Sequence, residues 1–311
     1  MGARCDNSRL PMSRTLPPAA ASRRWLDVSL AWYFVSVWGA GYLATKLGLR
    51  YAAPFSFLSL RYAFGLLCLA PIVLLARPRW PASGVELGHV IVAGLLMHAV
   101  QLGGSHYAQY LGMSAGVMAL IASMQPLLTA LIAARWMGER LLSRQWLGVL
   151  LGIAGIALVV WHKLDIREIG AGSLAGALLA LAGVTAGTLY QRSFCPRADL
   201  LAASLVQFAA NLAVLAPLAL AVEGFRVRWD WPLLGTIAFL VIFASILAVN
   251  ALHTLMRHGE ATRVASMLYL PPVIAVVLEF VLFDVRPGGV ALAGIALTCS
   301  GVALVAWRKY G

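Results

Sequence analysis

The sequence predicts an all-α integral membrane protein of ten transmembrane helices in two inverted five-helix repeats. Three observations carry that prediction. Hydrophobic residues fill 61% of the 311 positions and charged residues only 12%, against about 25% charged in a soluble domain. Mean hydropathy is +0.84. Apolar runs of about 20 residues recur along the whole chain, the helix length that crosses a bilayer core. Finally, the chain repeats itself at an offset of 146 residues. The alternating pattern of a membrane β-barrel is absent from the sequence.

The predicted spans are 28–48, 56–76, 88–108, 114–136, 145–161, 173–192, 201–222, 232–256, 261–283 and 288–307. Residues 1–25 are rich in Arg, Pro and Ala and read as a disordered cytoplasmic tail. No apolar h-region precedes the first span, so no cleavable signal is expected; Met1 and Met12 are both compatible with the start of translation. With the N-terminus inside, 16 of the 24 Lys and Arg residues fall on the inner side and six on the outer. Lys46 and Arg61 lie within spans. This is the positive-inside bias, and it predicts a multi-pass protein of the cell (inner) membrane with both termini cytoplasmic. The net charge of +12 is therefore a topology signal, and no nucleic-acid partner is expected. Cys5, Cys68, Cys195 and Cys299 are far apart and form no CxxC or Cys/His cluster, so neither a metal, a cofactor nor a disulfide framework is expected.

The internal repeat aligns 110–161 with 256–307 without a gap and with 11 identities in 52 positions. Pro126 falls on Pro272, Gly148 on Gly294, Gly155 on Gly301 and Trp161 on Trp307. The same offset carries Ala40-Gly41 onto Ala186-Gly187, Lys46 onto Arg192 and Pro71 onto Pro217. The repeats are 28–161 and 173–307. Each holds five spans, an odd number, so the second enters the membrane the other way up. Inverted repeats of this kind mark secondary transporters, which hold substrate near the midplane between the halves. Pro126 and Pro272 interrupt helices at matching places, which is also a pointer to the transport path; simple kinking for packing is the other reading.

Several stretches resemble the EamA family of the drug/metabolite transporter superfamily. They are Trp38-Gly39 followed by Lys46; Pro54 and then Leu60-Arg61-Tyr62; and Ala108-Gln109-Tyr110-Leu111-Gly112-Met113-Ser114-Ala115-Gly116. Gln125-Pro126 and Met137-Gly138-Glu139 followed by Trp146-Leu147-Gly148 complete the set. The resemblance covers nearly all of 28–307. It implies movement of small metabolites, often amino acids, with export the expected direction. It does not choose a substrate. One departure stands out: Gly138-Glu139 maps onto Asp284-Val285 in the second half, which puts a gating role for that acid in doubt there.

Polar residues within spans are the candidates for the substrate path, because such groups face the bundle interior or a cavity. Trp38, Tyr42 and Lys46 are four apart and share a helix face. His98, Gln101 and Ser105 form another stripe, and Gln207 and Asn211 a third. Ser245 and Asn250 lie in span 8, Gln125 beside Pro126, and Tyr269 beside Pro271 and Pro272. Helix–helix hydrogen bonding is the competing role for each stripe.

Glu279 is the only acidic residue well inside a predicted span. Its depth matches that of Lys46 and Arg61, all three in the outer third. Three roles are open to it: pairing with Lys46 or Arg61 to close an outer gate, titration that couples transport to protons, or snorkelling to the interface. His98 is a second candidate proton carrier. A membrane enzyme would need a convergent acid/base or metal constellation, which the spans lack. A P-loop and a filter loop are also missing. The expected activity is alternating-access transport of a small molecule by a monomer or homodimer in the bilayer. A lipid flippase of the same fold is the alternative.

Overall fold

The computed structural model describes residues 18–136, 142–165, 169–257 and 270–306. These form helices α1 Pro18–Gly48, α2 Pro54–Ala76, α3 Gly84–Tyr110, α4 Ala115–Ala122, α5 Gln125–Trp136, α6 Ser143–Asp165 and α7 Ala171–Phe194. They continue with α8 Leu200–Glu223, then α9, which runs through Trp231–Ala238, Phe239–Leu247 and Ala248–Arg257. Last come α10 Leu270–Phe283 and α11 Gly289–Ala306. Among the described residues, seven stretches are long and apolar enough to cross a membrane: α2, α3, α4 with α5, and α6 to α9. α10 and most of α11 are shorter apolar helices. The protein is an all-α, multi-pass membrane protein.

Local chemistry sets several boundaries. α1 begins at Pro18, inside the stretch expected to be a disordered tail. Proline suits a first helical turn, and the alanines that follow favour helix. The predicted span 114–136 is broken. Pro126 lacks an N–H, and its ring excludes the carbonyl four residues earlier, which belongs to Ala122. α4 ends there, Ser123 and Met124 form a turn, and α5 starts afresh at Gln125. Pro271 and Pro272 sit buried in the first turn of α10. Tyr269 and the rest of 258–269 lie outside the described residues, as do Gly138 and Glu139.

Three segments are wound as π-helix: Leu95–Val100 in α3, Ala219–Glu223 in α8 and Phe239–Leu247 in α9. Such segments concentrate at functional sites. Pro71 and Pro217 remain inside α2 and α8.

The bundle has two recognisable ends. At one, Arg228 N–H donates to the Tyr51 carbonyl at 2.8 Å, and Ala52 bridges Val227. Arg50 lies 4.9 Å from the Phe283 ring at the same end. This is the Tyr51 end. The opposite end carries the α7–α8 connection at Cys195 and is the Cys195 end.

The most extensive helix pairs are α3 with α7 and α6 with α11; α2 with α8 and α1 with α9 follow, and α1 also packs on α10. The α6–α11 seam is glycine-lined. A Cβ on Gly155 would lie 2.5 Å from Thr298 Oγ1 and 2.6 Å from the Gly294 carbonyl. One on Gly301 would meet the Gly148 carbonyl at 2.4 Å. Water cannot drive association inside lipid, so close backbone contact between small residues does that work. Gly301→Ala should overpack this seam at a cost of about 1–3 kcal/mol. Gly235, with nothing within 4 Å, should accept Ala freely. Thermal unfolding of the detergent-purified variants measures both, and equal melting temperatures would refute the backbone-contact account.

Candidate functional site

The Tyr51 end is built around a helix start. α4 opens with three backbone N–H groups that no carbonyl of its own can receive. Ser114 Oγ accepts from Val117 N–H at 3.2 Å. The other two N–H groups point at Glu279, which arrives from α10: Ala115 N–H donates to Oε1 at 3.2 Å and Gly116 N–H to Oε2 at 3.0 Å. Lys46 Nζ of α1 completes the set, 2.5 Å from Oε1. The Glu279 side chain is 4% exposed and that of Lys46 is 26% exposed. Of the two cations considered for Glu279, Lys46 is the one that meets it. Two glycines permit the approach. A Cβ on Gly116 would lie 2.4 Å from Val276 Cγ2, and one on Gly39 would lie 2.9 Å from Ile274 Cβ.

The same device recurs at the start of α2. Ala53 has no side chain able to cap it. Glu223, from the end of α8, accepts from Phe55 N–H at 2.9 Å and from Ser56 N–H and Oγ at 2.7 Å each. Sequence reasoning missed Glu223 because it stands one residue beyond the predicted span 201–222. The one available signal was the uncapped Ala53-Pro54 start.

A second polar group lies deeper. Arg61 Nη2 of α2 donates to Ser245 Oγ of α9 at 3.1 Å. Ser245 in turn donates to the Leu240 carbonyl at 2.9 Å. The neighbouring Tyr62 ring stands edge-on to His98 at 5.8 Å and to Phe208 at 5.2 Å. His98 and Ser245 both sit in π-wound segments.

A third group opens at the Cys195 end. A cavity of about 480 Å³ is lined by Met97, Thr188, Gln191, Cys195, Ala203 and Gln207 among others. Gln207 Nε2 donates to Gln191 Oε1 at 3.4 Å, and the neighbouring Phe208 ring stands edge-on to His98 at 5.7 Å. Gln125 Nε2 donates to Thr188 Oγ1 at 2.9 Å, which ties α5 to the same wall.

The remaining candidates are dispersed. Asn211 Nδ2 donates to the Gly94 and Gln207 carbonyls at 3.1 and 2.7 Å, a bond across helices of the packing kind. Gln101 is half-buried directly after the π-turn of α3, and Tyr42 is half-buried against the core formed by α4 to α7. Trp38 is 40% exposed with its ring tilted on Phe34. Asn250 is exposed and bonds its own helix at the Ile246 carbonyl. Pro126 starts α5; Pro271 and Pro272 start the described part of α10.

Removing Lys46 would leave a buried carboxylate without its cation, whereas removing both partners leaves no charge. Lys46→Met alone should therefore destabilise more than Lys46→Met with Glu279→Gln, with a coupling of about 1–3 kcal/mol. A double-mutant cycle of thermal unfolding in nanodiscs reads it. Strict additivity would count against the pair.

Comparison with known proteins fits this architecture. The model of the EamA-like transporter family matches the chain twice, over 27–161 and 171–307. An uncharacterized transporter of Bacillus subtilis (strain 168) is 27% identical over 286 residues, covering 88% of this chain and 89% of its own. A protein of Escherichia coli (strain K12) described as a probable amino-acid metabolite efflux pump is 27% identical over 299 residues, covering 91% and 97%. One crystal structure superposes with a TM-score of 0.61 at 22% identity, over 91% of this chain and 97% of its own, and so shares the fold. The two family matches together span most of the sequence, and the chain belongs to the EamA-like transporter family of the drug/metabolite transporter superfamily.

Proposed function

We propose that this transporter exports an amino-acid-sized metabolite across the cell membrane by alternating access between two inverted five-helix halves. Ten spans with both termini in the cytoplasm make up the working unit. One observation carries the reading: access is one-sided. Lys46, Glu279 and the start of α4 close the Tyr51 end, while a mainly apolar cavity of about 480 Å³, with Thr188, Gln191, Arg192 and Gln207 in its wall, opens at the Cys195 end. A carrier caught in one of its two states has this form.

The packing supports the repeat. An inverted pair of halves makes α2 the counterpart of α8, α6 of α11, α1 of α7 and α3 of α9. α2 packs on α8 and α6 on α11, each on its counterpart, while α1 packs on α9 and α7 on α3 as a matching exchange. Gly41 of α1 faces Leu240 of α9, and its repeat mate Gly187 of α7 faces Met97 of α3. The charge bias puts the Cys195 end in the cytoplasm. A cavity facing that way loads from inside, which accords with export and with the description of the Escherichia coli relative.

In this reading Lys46 and Glu279 are the outer gate. The purified protein in sealed vesicles should move labelled amino acids or related metabolites saturably; a panel run with and without an imposed pH gradient also tests proton coupling. Failure of every panel member to move would remove the small-metabolite reading. Lys46→Met should weaken the closed state by a factor of about 5 or more. Its readout is maleimide labelling of Val117→Cys, which lines the small cavity under Glu279, in a chain freed of its own cysteines. Unchanged labelling would detach the pair from gating. On intact cells an impermeant maleimide should label Asp284→Cys and spare Arg197→Cys; the opposite pattern would invert the topology.

A further inference from the structure

Lys46 and Arg61 both lie within predicted spans, and the structure treats them differently. Lys46 has a carboxylate. Arg61 has none: its one hydrogen bond among the described residues goes to the neutral Ser245 hydroxyl. A guanidinium offers five donors, so most of its capacity is unused. The two glutamates nearest in kind are already engaged, Glu279 with Lys46 and α4, Glu223 with the start of α2. A cation at bilayer depth is costly and marks a pathway where it lacks a structural partner.

The surroundings point to a ligand. Arg61 is only partly buried although it bonds across from α2 to α9. The Tyr62 hydroxyl beside it is fully buried and has no hydrogen-bond partner among the described residues. Two π-wound segments turn His98 and Ser245 toward this place. Gln207 lines the cavity at the Cys195 end, and its chain neighbour Phe208 stands edge-on to both the His98 and the Tyr62 rings, which joins that cavity to this place.

We propose that Arg61, with Ser245, Tyr62 and His98 around it, is the anchor for the carboxylate of the transported molecule, reached through the cavity that Gln207 lines. This rests on the transport reading above and names the chemical class of its substrate. A carboxylate matches a guanidinium in a two-bond fork. A single cation balances a monoanion, whereas a phosphate dianion would bring excess buried charge. Serine's proton is committed to Leu240, so its oxygen orients the guanidinium without competing for the incoming acid. The Tyr62 hydroxyl would gain the acceptor it lacks.

The test separates the anchor from transport. Purified wild-type protein in nanodiscs is treated with phenylglyoxal, and modification of Arg61 is followed by mass spectrometry. The probes are L-amino acids and the same compounds as C-terminal amides. Carboxylates should slow modification of Arg61 several-fold and amides should not. In vesicles, Arg61→Gln should raise KM for a carboxylate substrate by about 10- to 100-fold, the worth of a hydrogen bond to a charged group, with the melting temperature unchanged. If Arg61→Gln fails to fold, Arg61→Lys, which keeps charge but loses the fork, serves in its place and should show a smaller rise. Arg61 inert to the reagent, equal protection by acids and amides, or no protection at all would each overturn the anchor. So would unchanged KM in the variants. Protection by acids in a protein that moves none of them would uphold the site and sink the transport reading; transport with no protection would do the reverse.

Discussion

A helix that begins inside an apolar bundle brings backbone N–H groups to a place where no water can receive them. Much of the Tyr51 end follows from that constraint. α4 starts at Ala115, and its first three N–H groups are taken by Ser114 and Glu279. Glu279 supplies two acceptors but also brings a charge. That charge calls for Lys46, and Lys46 fixes α1 against α10. The close approach then requires glycine at 39 and 116. One backbone need thus joins three helices distant in sequence. α2 meets the same need with Glu223 from α8.

The interfaces divide into two kinds. The α6–α11 seam is backbone against backbone, with small residues and no space to give. Such an interface has one good geometry, because any shift replaces contact by overlap. Around Arg61 and Gln207 the contacts are instead polar, partly open and carried by π-wound turns. Hydrogen bonds of this sort can be exchanged for others at modest net cost. Rigid backbone contact and exchangeable polar contact therefore occupy different helices.

Charge within the bundle follows the same division. Lys46 is neutralised by the protein itself, through Glu279. Arg61 is solvated by one hydroxyl, beside a cluster in which the Tyr62, His98 and Phe208 rings pack edge-on. Both residues are basic and both lie in predicted spans, yet their partners give them different electrostatic situations.

The all-α multi-pass class was legible in composition and run length, because lipid allows few ways to satisfy a backbone and hydrophobicity reports them directly. The break before α5 was legible in Pro126, whose ring acts locally on Ala122. The concern with Glu279 was also legible, since one carboxylate in an apolar run stands out. Its partner was narrowed to Lys46 or Arg61 by depth alone, and three-dimensional packing chose Lys46. Glu223 was invisible because a cap supplied from another helix leaves no trace in local spacing. The meeting of Arg61 with Ser245 was equally hidden, since it joins residues 184 apart and depends on a π-turn that shifts the helical register. Hydropathy, proline and depth act along the chain and can be read from it; which polar group meets which is decided between helices, by distances that arise only on packing.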